Sequence, residues 1–314
     1  MSFSGSVKEE LMECMSSARH CEIAELAAIV QFCGHIFRDD DGMWHVRVQT
    51  ENRCVARKCF TLWKKTFNIY SSVCVKQHMT SKRIPIYILQ TSSGQEAIRV
   101  LQTLKIPYET EAEHALGADI NPMLIKNSCC RRAFLRGAYL AVGSMSDPDK
   151  SYHLEYVCQT EEKAKELVQI LASFDLDAKI VLRKKYYVVY FKEGEGIVDL
   201  LNIMEAHVAL MELENTRILK EMRNSINRRV NCETANITKT VNAATKQAED
   251  ILYIREHYGF QNLPENLQEM AEVRLANPDA TLKELGELMN PPVGKSGVNH
   301  RLRKLGEIAD RLRE

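Results

Sequence analysis

Polar side chains that can read nucleic-acid bases recur at helical spacing near the carboxyl end of the chain. Asn299 and Arg303 are four positions apart, and Ser296 and His300 keep the same spacing. Residues at this separation share one side of a helix. Arginine can donate two hydrogen bonds to guanine O6 and N7, and asparagine can pair with adenine N6 and N7. The pattern therefore predicts a helix whose exposed side contacts base edges.

Basic residues that suit a phosphate backbone surround this pattern and recur in an upstream segment. Six basic and two acidic residues lie between Lys295 and Arg313, and the counts are the same between Arg217 and Lys239. A local excess of positive charge makes DNA binding sensitive to salt. A solvated helix face explains the upstream charge equally well, but the interleaved asparagines favour nucleic-acid contact. The predicted contacts are Thr281, Lys283, Lys295, Ser296, Asn299, His300, Arg301, Arg303 and Lys304, with Arg228, Arg229, Asn231, Asn236 and Lys239 upstream.

Aspartates that could hold divalent cations occur in two short runs, Asp39–Asp41 and Asp147 with Asp149. Oxygen ligands of this kind bind the Mg²⁺ that assists phosphodiester hydrolysis. Gly42 follows the first run and Pro148 lies within the second, and this composition is typical of turns. We therefore expect two turns, and a catalytic role for these acids is the alternative.

The ten cysteines show no spacing that is typical of a metal site. They are scattered through apolar helical patterns, Cys129 and Cys130 are adjacent, and neither a CxxC nor a His-xxx-His pair occurs. Such a distribution is typical of packed thiols in a reducing compartment. The cysteine spacing therefore predicts no metal ligand. We also expect no cofactor and no catalytic residue.

The overall composition excludes several classes of protein. Lys and Arg number 42 and Asp and Glu number 42, so the 314-residue chain is not polybasic as a whole. Acidic residues stand where a signal peptide would be apolar, and no segment reaches the roughly 18 apolar residues of a membrane span. We expect a cytoplasmic protein of two or three domains that does not enter the membrane.

The elements that must position these residues form a repeat over the first two thirds of the chain. Helical segments 21–36 and 134–144 are rich in small residues, and their glycines, Gly34 and Gly143, are 109 positions apart. A strand, a helix, two strands and a short helix follow each segment. Small side chains allow two helix backbones to approach closely. The two segments are therefore predicted to meet between two similar halves, and two unrelated core helices are the alternative.

This duplicated pattern, opened each time by a small-residue helix that ends at glycine, resembles the LAGLIDADG homing endonucleases. The resemblance implies that each helix would deliver one catalytic aspartate immediately before its glycine. Cys33 and Val142 occupy those two positions in this chain. Valine has no lone pair, and a buried thiol is a poor ligand for Mg²⁺. The resemblance therefore implies a retained scaffold without the metal chemistry.

Three short helical patterns follow residue 263 and predict a helix-turn-helix. The first ends before Pro278, Thr281 and Glu284 form a capping box for the second, and two prolines force a turn that is longer than is usual for the motif. The third helix, with Ser296 as its N-cap, would be the recognition helix. A packing module without DNA contact is the alternative. The residues predicted to be buried along the third helix are Val298, Leu302, Leu305 and Ile308.

The whole arrangement, including the string NPPVGKSGVNHRLRKL at 290–305, is similar to the WhiA family. The resemblance implies an α+β fold in which a duplicated LAGLIDADG-like αββαββα bilobed domain precedes an all-α helix-turn-helix domain. It predicts lobe 1 at 1–112, lobe 2 at 113–205, a basic helical linker at 206–260 and the helix-turn-helix domain at 261–314. If the bilobed domain contacts DNA, the outward strand residues would include His45, Arg47 and Gln49, or His153, Glu155 and Tyr156.

The resemblance also implies a function. The expected protein is a non-enzymatic, sequence-selective binder of double-stranded DNA that regulates transcription, cell division and chromosome segregation, with a role in sporulation in relatives. It would be cytoplasmic and associated with the nucleoid, and a regulatory protein on the LAGLIDADG-like domain is a further expected partner. A metal-dependent endonuclease that uses displaced acids and a protein-interaction adaptor are the alternatives.

Overall fold

The computed structural model describes residues 2–77, 85–108 and 120–314, and the chain divides into two compact units, Met1–Leu219 and Lys220–Glu314. The second unit begins within the segment predicted to be a linker. The predicted boundary between the two lobes, at residue 112, lies outside the described residues.

Two similar halves make up the first unit. The first half contains α1 (Phe3–Glu13), α2 (Arg19–Cys33), β1 (Gly34–Arg38), β2 (Trp44–Thr50), α3 (Arg53–Phe67), β3 (Ser72–Gln77), β4 (Pro85–Gln90) and α4 (Gly94–Thr103). The second half contains a 3-10 turn (Pro122–Ile125), α5 (Ser128–Val142), β5 (Gly143–Met145), β6 (Leu154–Cys158), α6 (Glu161–Ala172), β7 (Lys179–Arg183), β8 (Tyr186–Phe191) and α7 (Gly194–Met204).

Both halves build the same antiparallel sheet. The strand order is β1-β2-β4-β3 in one and β5-β6-β8-β7 in the other. This shared order confirms the predicted duplication and the α+β fold. Strands β1 and β5 are not indicated by the sequence pattern. Each begins at the glycine that ends the preceding helix and is short, so the alternation of apolar and polar residues is too brief to recognise.

Helices α2 and α5 pack against each other, as the small residues predict. A Cβ atom built at Gly137 would overlap the backbone carbonyl oxygen of Glu25 and would lie 3.0 Å from Cβ of Ala28. Only glycine permits this separation of the two backbones. The closeness explains why α5 tolerates a residue that costs about 1 kcal/mol in a helix relative to alanine.

A buried ion cluster joins α2, α3 and α5 beside this contact. Arg136 Nε lies 3.1 Å and Lys58 Nζ 3.0 Å from Glu25 Oε1, and all three side chains are almost completely inaccessible. Arg136 also donates to Ser16 Oγ at 2.7 Å and to Glu205 Oε2 at 2.7 Å. Desolvation lowers the pKa of Arg136, but the neighbouring groups, Glu25 foremost and Glu205 among them, together outweigh it, and the pKa lies above its ordinary value. Each buried charge has an opposite partner, so removing one of them would leave an uncompensated charge in the core.

Strands β2 and β6 alternate between buried and outward-facing residues. In β2 the valines Val46 and Val48 are buried, whereas Arg47 and Gln49 face outward. The prediction that Tyr156 faces outward is wrong: it is fully buried, and its hydroxyl lies 3.6 Å from Met204 Sδ. Strand side chains alternate, so Tyr156 shares the inner face with Leu154.

The second unit is helical. It comprises most of α8 (His207–His257), a 3-10 turn (Phe260–Asn262), α9 (Glu265–Ala276), α10 (Leu282–Glu287) and α11 (Lys295–Arg313). Ile251 and Ile254 of α8 are buried with α9 to α11, so the end of the predicted linker contributes to this core. Along the described residues, no helix has both the length and the apolarity needed to cross a membrane.

Candidate nucleic-acid interface

The capping box predicted at the start of α10 is present. The Thr281 hydroxyl accepts a hydrogen bond from the Glu284 amide at 3.3 Å, and Glu284 Oε2 accepts one from the Thr281 amide at 2.7 Å. The bonds from Thr281 lower the pKa of the Glu284 carboxyl. Two of the free amides at the helix start are thus satisfied, which defines where α10 begins.

Residues 288–294 connect α10 to α11, and hydrogen bonds attach this turn to both α10 and α9. The Val293 amide donates to the Gly286 carbonyl at 2.9 Å, and the Asn290 amide donates to Glu269 Oε1 of α9 at 2.7 Å. A Cβ atom at Gly286 would overlap the Val293 carbonyl oxygen. Glycine in α10 therefore allows the long turn to lie directly against the helix.

Helix α11 begins at Lys295 with Gly294 as its N-cap. The prediction of Ser296 as N-cap is wrong, because the chain is already helical at Lys295, and Ser296 is an exposed residue of the first turn. The predicted buried stripe is present at Val298, Leu302 and Leu305. Its fourth position is Ala309, and Ile308 is only partly buried.

The side of α11 opposite this stripe carries the four residues predicted to read bases. At 3.6 residues per turn they lie within about 100° of the helix circumference, centred away from the core. Their side chains carry hydrogen-bond donors and acceptors that are complementary to those of base edges in the major groove. All four are exposed: Ser296, Asn299, His300 and Arg303.

The remaining predicted contacts of this unit differ in how exposed their side chains are. Lys295 and Lys304 are exposed, whereas Arg301 is half-buried with its Nη1 atom 3.9 Å from Glu269 Oε2. Glu269 therefore contacts both the turn and α11, a role that no sequence pattern indicates. In the sequence, Glu269 is one acidic residue within a predicted helix.

Two of these side chains already have intrahelical partners at the surface. Arg303 Nε lies 3.5 Å from Glu307 Oε1, and Lys283 Nζ lies 3.9 Å from Glu287 Oε1. Exposed pairs of this kind contribute about 0.2–1 kcal/mol. A phosphate or a base edge can therefore replace the glutamate at little cost. The Thr281 hydroxyl, by contrast, is held by the capping box.

The predicted upstream contacts all lie on one side of α8 and are all exposed. With 100° per residue they fall within about 160° of the helix circumference. Apolar residues, which include Ile226, Val230 and Ile237, are exposed on the opposite side. The residues of the basic side are Arg228, Arg229, Asn231, Asn236 and Lys239.

Lysine ammonium groups lie near the ends of α2 and α5, close to the two positions at which the resemblance implies an aspartate. Lys8 Nζ donates to the Leu140 carbonyl at 2.9 Å, and Lys163 Nζ donates to the Gln31 carbonyl at 2.9 Å. Gln31 and Leu140 each lie three positions before the glycine that follows their helix. Positive charge is favourable at a helix C-terminus and repels a divalent cation. Neither lysine lies in the small-residue helices, so no sequence pattern indicates them.

The two aspartate runs form turns, as expected. Asp39 Oδ1 accepts hydrogen bonds from the amides of Met43 at 2.8 Å and Asp41 at 3.2 Å. His45 Nε2 lies 2.8 Å from Asp39 Oδ2, and this hydrogen bond lowers the pKa of Asp39. Asp147 Oδ1 accepts from the Asp149 amide at 3.0 Å. One aspartate of each run thus holds its own turn.

Three family descriptions match consecutive parts of the chain. The WhiA N-terminal LAGLIDADG-like domain matches residues 19–115, the WhiA LAGLIDADG-like domain matches 131–223, and the WhiA C-terminal HTH domain matches 226–309.

Similar proteins match over the full length. The probable cell division protein WhiA of Lachnoclostridium phytofermentans is 55% identical over 315 residues, covering 100% of both chains. That of Alkaliphilus oremlandii is 48% identical and covers 100% of this chain and 98% of its own. The crystal structure of full-length DUF199/WhiA from "Thermatoga maritima" superposes with a TM-score of 0.61 at 26% identity, covering 99% of each chain.

Proposed function

The chain belongs to the WhiA family, and we propose that it is a non-enzymatic, sequence-selective DNA-binding protein that regulates transcription during cell division and chromosome segregation. The proposal includes a cytoplasmic, nucleoid-associated location. The observation that carries it is the exposed polar side of α11, where Asn299 and Arg303 stand opposite the buried stripe. In helix-turn-helix proteins the corresponding residues near the start of the recognition helix contact base edges.

The exposed side of α11 and the basic side of α8 have different roles in this proposal, because their side chains differ in chemistry. The α11 side supplies groups that distinguish bases, whereas the basic side of α8 supplies charge that any phosphate backbone attracts. The relatives named probable cell division protein support the assignment to that process. A regulatory protein that binds the LAGLIDADG-like domain completes the proposal.

The experiment selects a preferred duplex from a random pool with the full-length protein. It then compares the affinity for that duplex with the affinity for a scrambled one. We expect Arg303→Ala to reduce this discrimination by about 1–3 kcal/mol, because a bidentate contact to guanine is lost. Arg311→Ala, in the last turn of the same helix, is the matched control and should leave discrimination unchanged. Equal effects of the two substitutions would contradict base reading by α11.

The endonuclease alternative is tested with Mg²⁺ and supercoiled plasmid. Lys8 and Lys163 place ammonium groups near the carboxyl ends of α5 and α2, and Asp39 and Asp147 hold their own turns. We therefore expect no sustained nicking. Nicking that disappears in Asp40→Asn or Asp147→Asn would establish the alternative. Absence of any duplex binding at low salt would instead favour a protein-interaction adaptor.

A further inference from the structure

Four side chains with metal-binding atoms converge at the first turns of α2 and α5. His20 and Cys21 belong to α2, and Cys129 and Cys130 belong to α5. The imidazole Nδ1 of His20 lies 3.2 Å from Cys130 Sγ and 3.3 Å from Cys21 Sγ. All four ligand atoms lie within 4.8 Å of one another. The close contact at Gly137 brings these turns together, although the two pairs are over a hundred residues apart in the chain.

The separations approach those of a tetrahedral zinc site. With Zn–S distances of about 2.3 Å and Zn–N distances of about 2.0–2.1 Å, ligand atoms in a regular tetrahedron lie roughly 3.5–3.8 Å apart. The two contacts to His20 are slightly shorter than this, and none of the six separations exceeds 4.8 Å. Small rotations of the side chains would therefore make room for one ion. Three thiolates and one imidazole are a set found in structural zinc sites.

The surroundings suit a zinc–thiolate complex in both packing and charge. Cys21 and Cys130 are buried among Ala24 and Ala133, whereas His20 and Cys129 are exposed and leave a path for the ion. Zn²⁺ with three thiolates has a net charge of minus one. The positive ends of two helix dipoles face this anion. Arg132 lines the adjoining cleft of about 460 Å³, together with the ion pair of Arg136 and Glu205.

We propose that His20, Cys21, Cys129 and Cys130 bind one Zn²⁺ ion, which fastens the first turn of α2 to that of α5. Soft thiolate ligands favour zinc over Mg²⁺ or Ca²⁺, so the site is distinct from the hydrolytic metal chemistry of the homing endonucleases. Zinc binding displaces the thiol protons to solvent, and no oxidant or reductant is needed. The ion crosslinks the two halves of the first unit and stabilises the fold by mass action.

The test uses the full-length protein without an affinity tag, reduced with a phosphine and dialysed against a chelator in the absence of oxygen. Titration with Co²⁺ should give one equivalent of tetrahedral d–d absorption together with thiolate-to-cobalt charge transfer, and Zn²⁺ should displace it. Zn²⁺ should also raise the unfolding temperature of the protein.

His20→Gln and Cys129→Ser alter the two exposed ligands, so that folding is preserved. Each should weaken Co²⁺ and Zn²⁺ binding roughly tenfold or more, measured by competition with a chromophoric chelator. Cys232→Ser, an exposed cysteine of α8, is the matched control and should bind as the parent does. Uptake without charge transfer, uptake unaffected by both ligand substitutions, or no uptake at all would each overturn the proposal. A disulfide within the cluster that forms in place of uptake under these reducing conditions would also overturn it.

Discussion

Gly137 determines how closely α2 and α5 approach, because any larger side chain would meet the backbone of α2 at Glu25. Gly137 therefore acts through the absence of a Cβ atom. The neighbouring charges of Glu25, Arg136 and Lys58 depend on the same closeness, since each needs its partners within hydrogen-bonding distance once it is removed from water.

We expect Gly137→Ala to lower the free energy of unfolding of the first unit by about 1–3 kcal/mol. Overpacking against the α2 backbone outweighs the gain of up to about 1 kcal/mol in helix propensity. Gly306→Ala in α11 is the matched control, because a Cβ atom there meets only Asp250 Oδ2 at 3.6 Å, and it should stabilise its helix. Urea unfolding followed by circular dichroism measures both. A stabilising effect at Gly137 would contradict the close packing.

Lys8 predicts a pH dependence of stability. Burial lowers the pKa of its ammonium group from 10.5 to about 8 in the folded protein. Between these pH values the unfolded chain binds more protons, so the free energy of unfolding rises with pH across this window. Because the side chain retains some solvent contact, we expect the parent to gain about 2 kcal/mol relative to Lys8→Met between pH 7 and 10. Urea unfolding at several pH values checks this, and parallel curves would contradict it.

Among the elements, α10 and α8 both support the nucleic-acid proposal, but they do so in different ways. α10 is only six residues long, so its start depends on the capping box and its end on the turn that Gly286 admits. α8 has a basic side and an apolar side that are both exposed in its middle part. A short helix thus relies on its caps, whereas a long one can present two surfaces of different chemistry.

We expect Thr281→Ala to lower the free energy of unfolding of the second unit by about 1 kcal/mol, because the capping hydroxyl is removed. Thr281→Ser keeps the hydroxyl and should restore most of the loss. Thermal unfolding followed by calorimetry measures both variants. If serine fails to rescue stability, the hydroxyl bond to Glu284 is not what alanine removes.

At the scale of the whole molecule, a net charge of zero coexists with a local excess of basic residues on α8 and α11. Long-range attraction to DNA therefore depends on how the charges are distributed, since the total contributes none.

We expect Arg229→Ala to weaken binding to all duplexes uniformly and to flatten the salt dependence of the binding constant by about one unit of slope. Arg229→Lys keeps the charge and should retain the slope. Fluorescence anisotropy across a salt series measures both variants. A loss confined to the preferred duplex would indicate that Arg229 reads bases and would contradict its assignment to phosphate.

Local patterns in the sequence were sufficient for most of the elements, although not for the short strands β1 and β5. The repeated helices and strands, the capping box at Thr281 and the exposed side of α11 all follow from residues a few positions apart, because hydrogen bonds and side-chain periodicity act over that range. Boundaries were less secure where the local signal was weak, as at Ser296, Ile308 and the short strand β1. The alternation of side chains along β6 places Tyr156 inward, so the prediction that Tyr156 faces outward was wrong although the sequence contained the signal.

Only the tertiary structure decided which distant residues meet. The partners of Glu25, the lysines at the ends of α2 and α5, and the pairing of His20-Cys21 with Cys129-Cys130 each join segments far apart in the chain. Their spacing in the sequence has no periodicity to recognise, because the distance between them depends on how two helices pack. That packing depends on the absence of a single Cβ atom at Gly137.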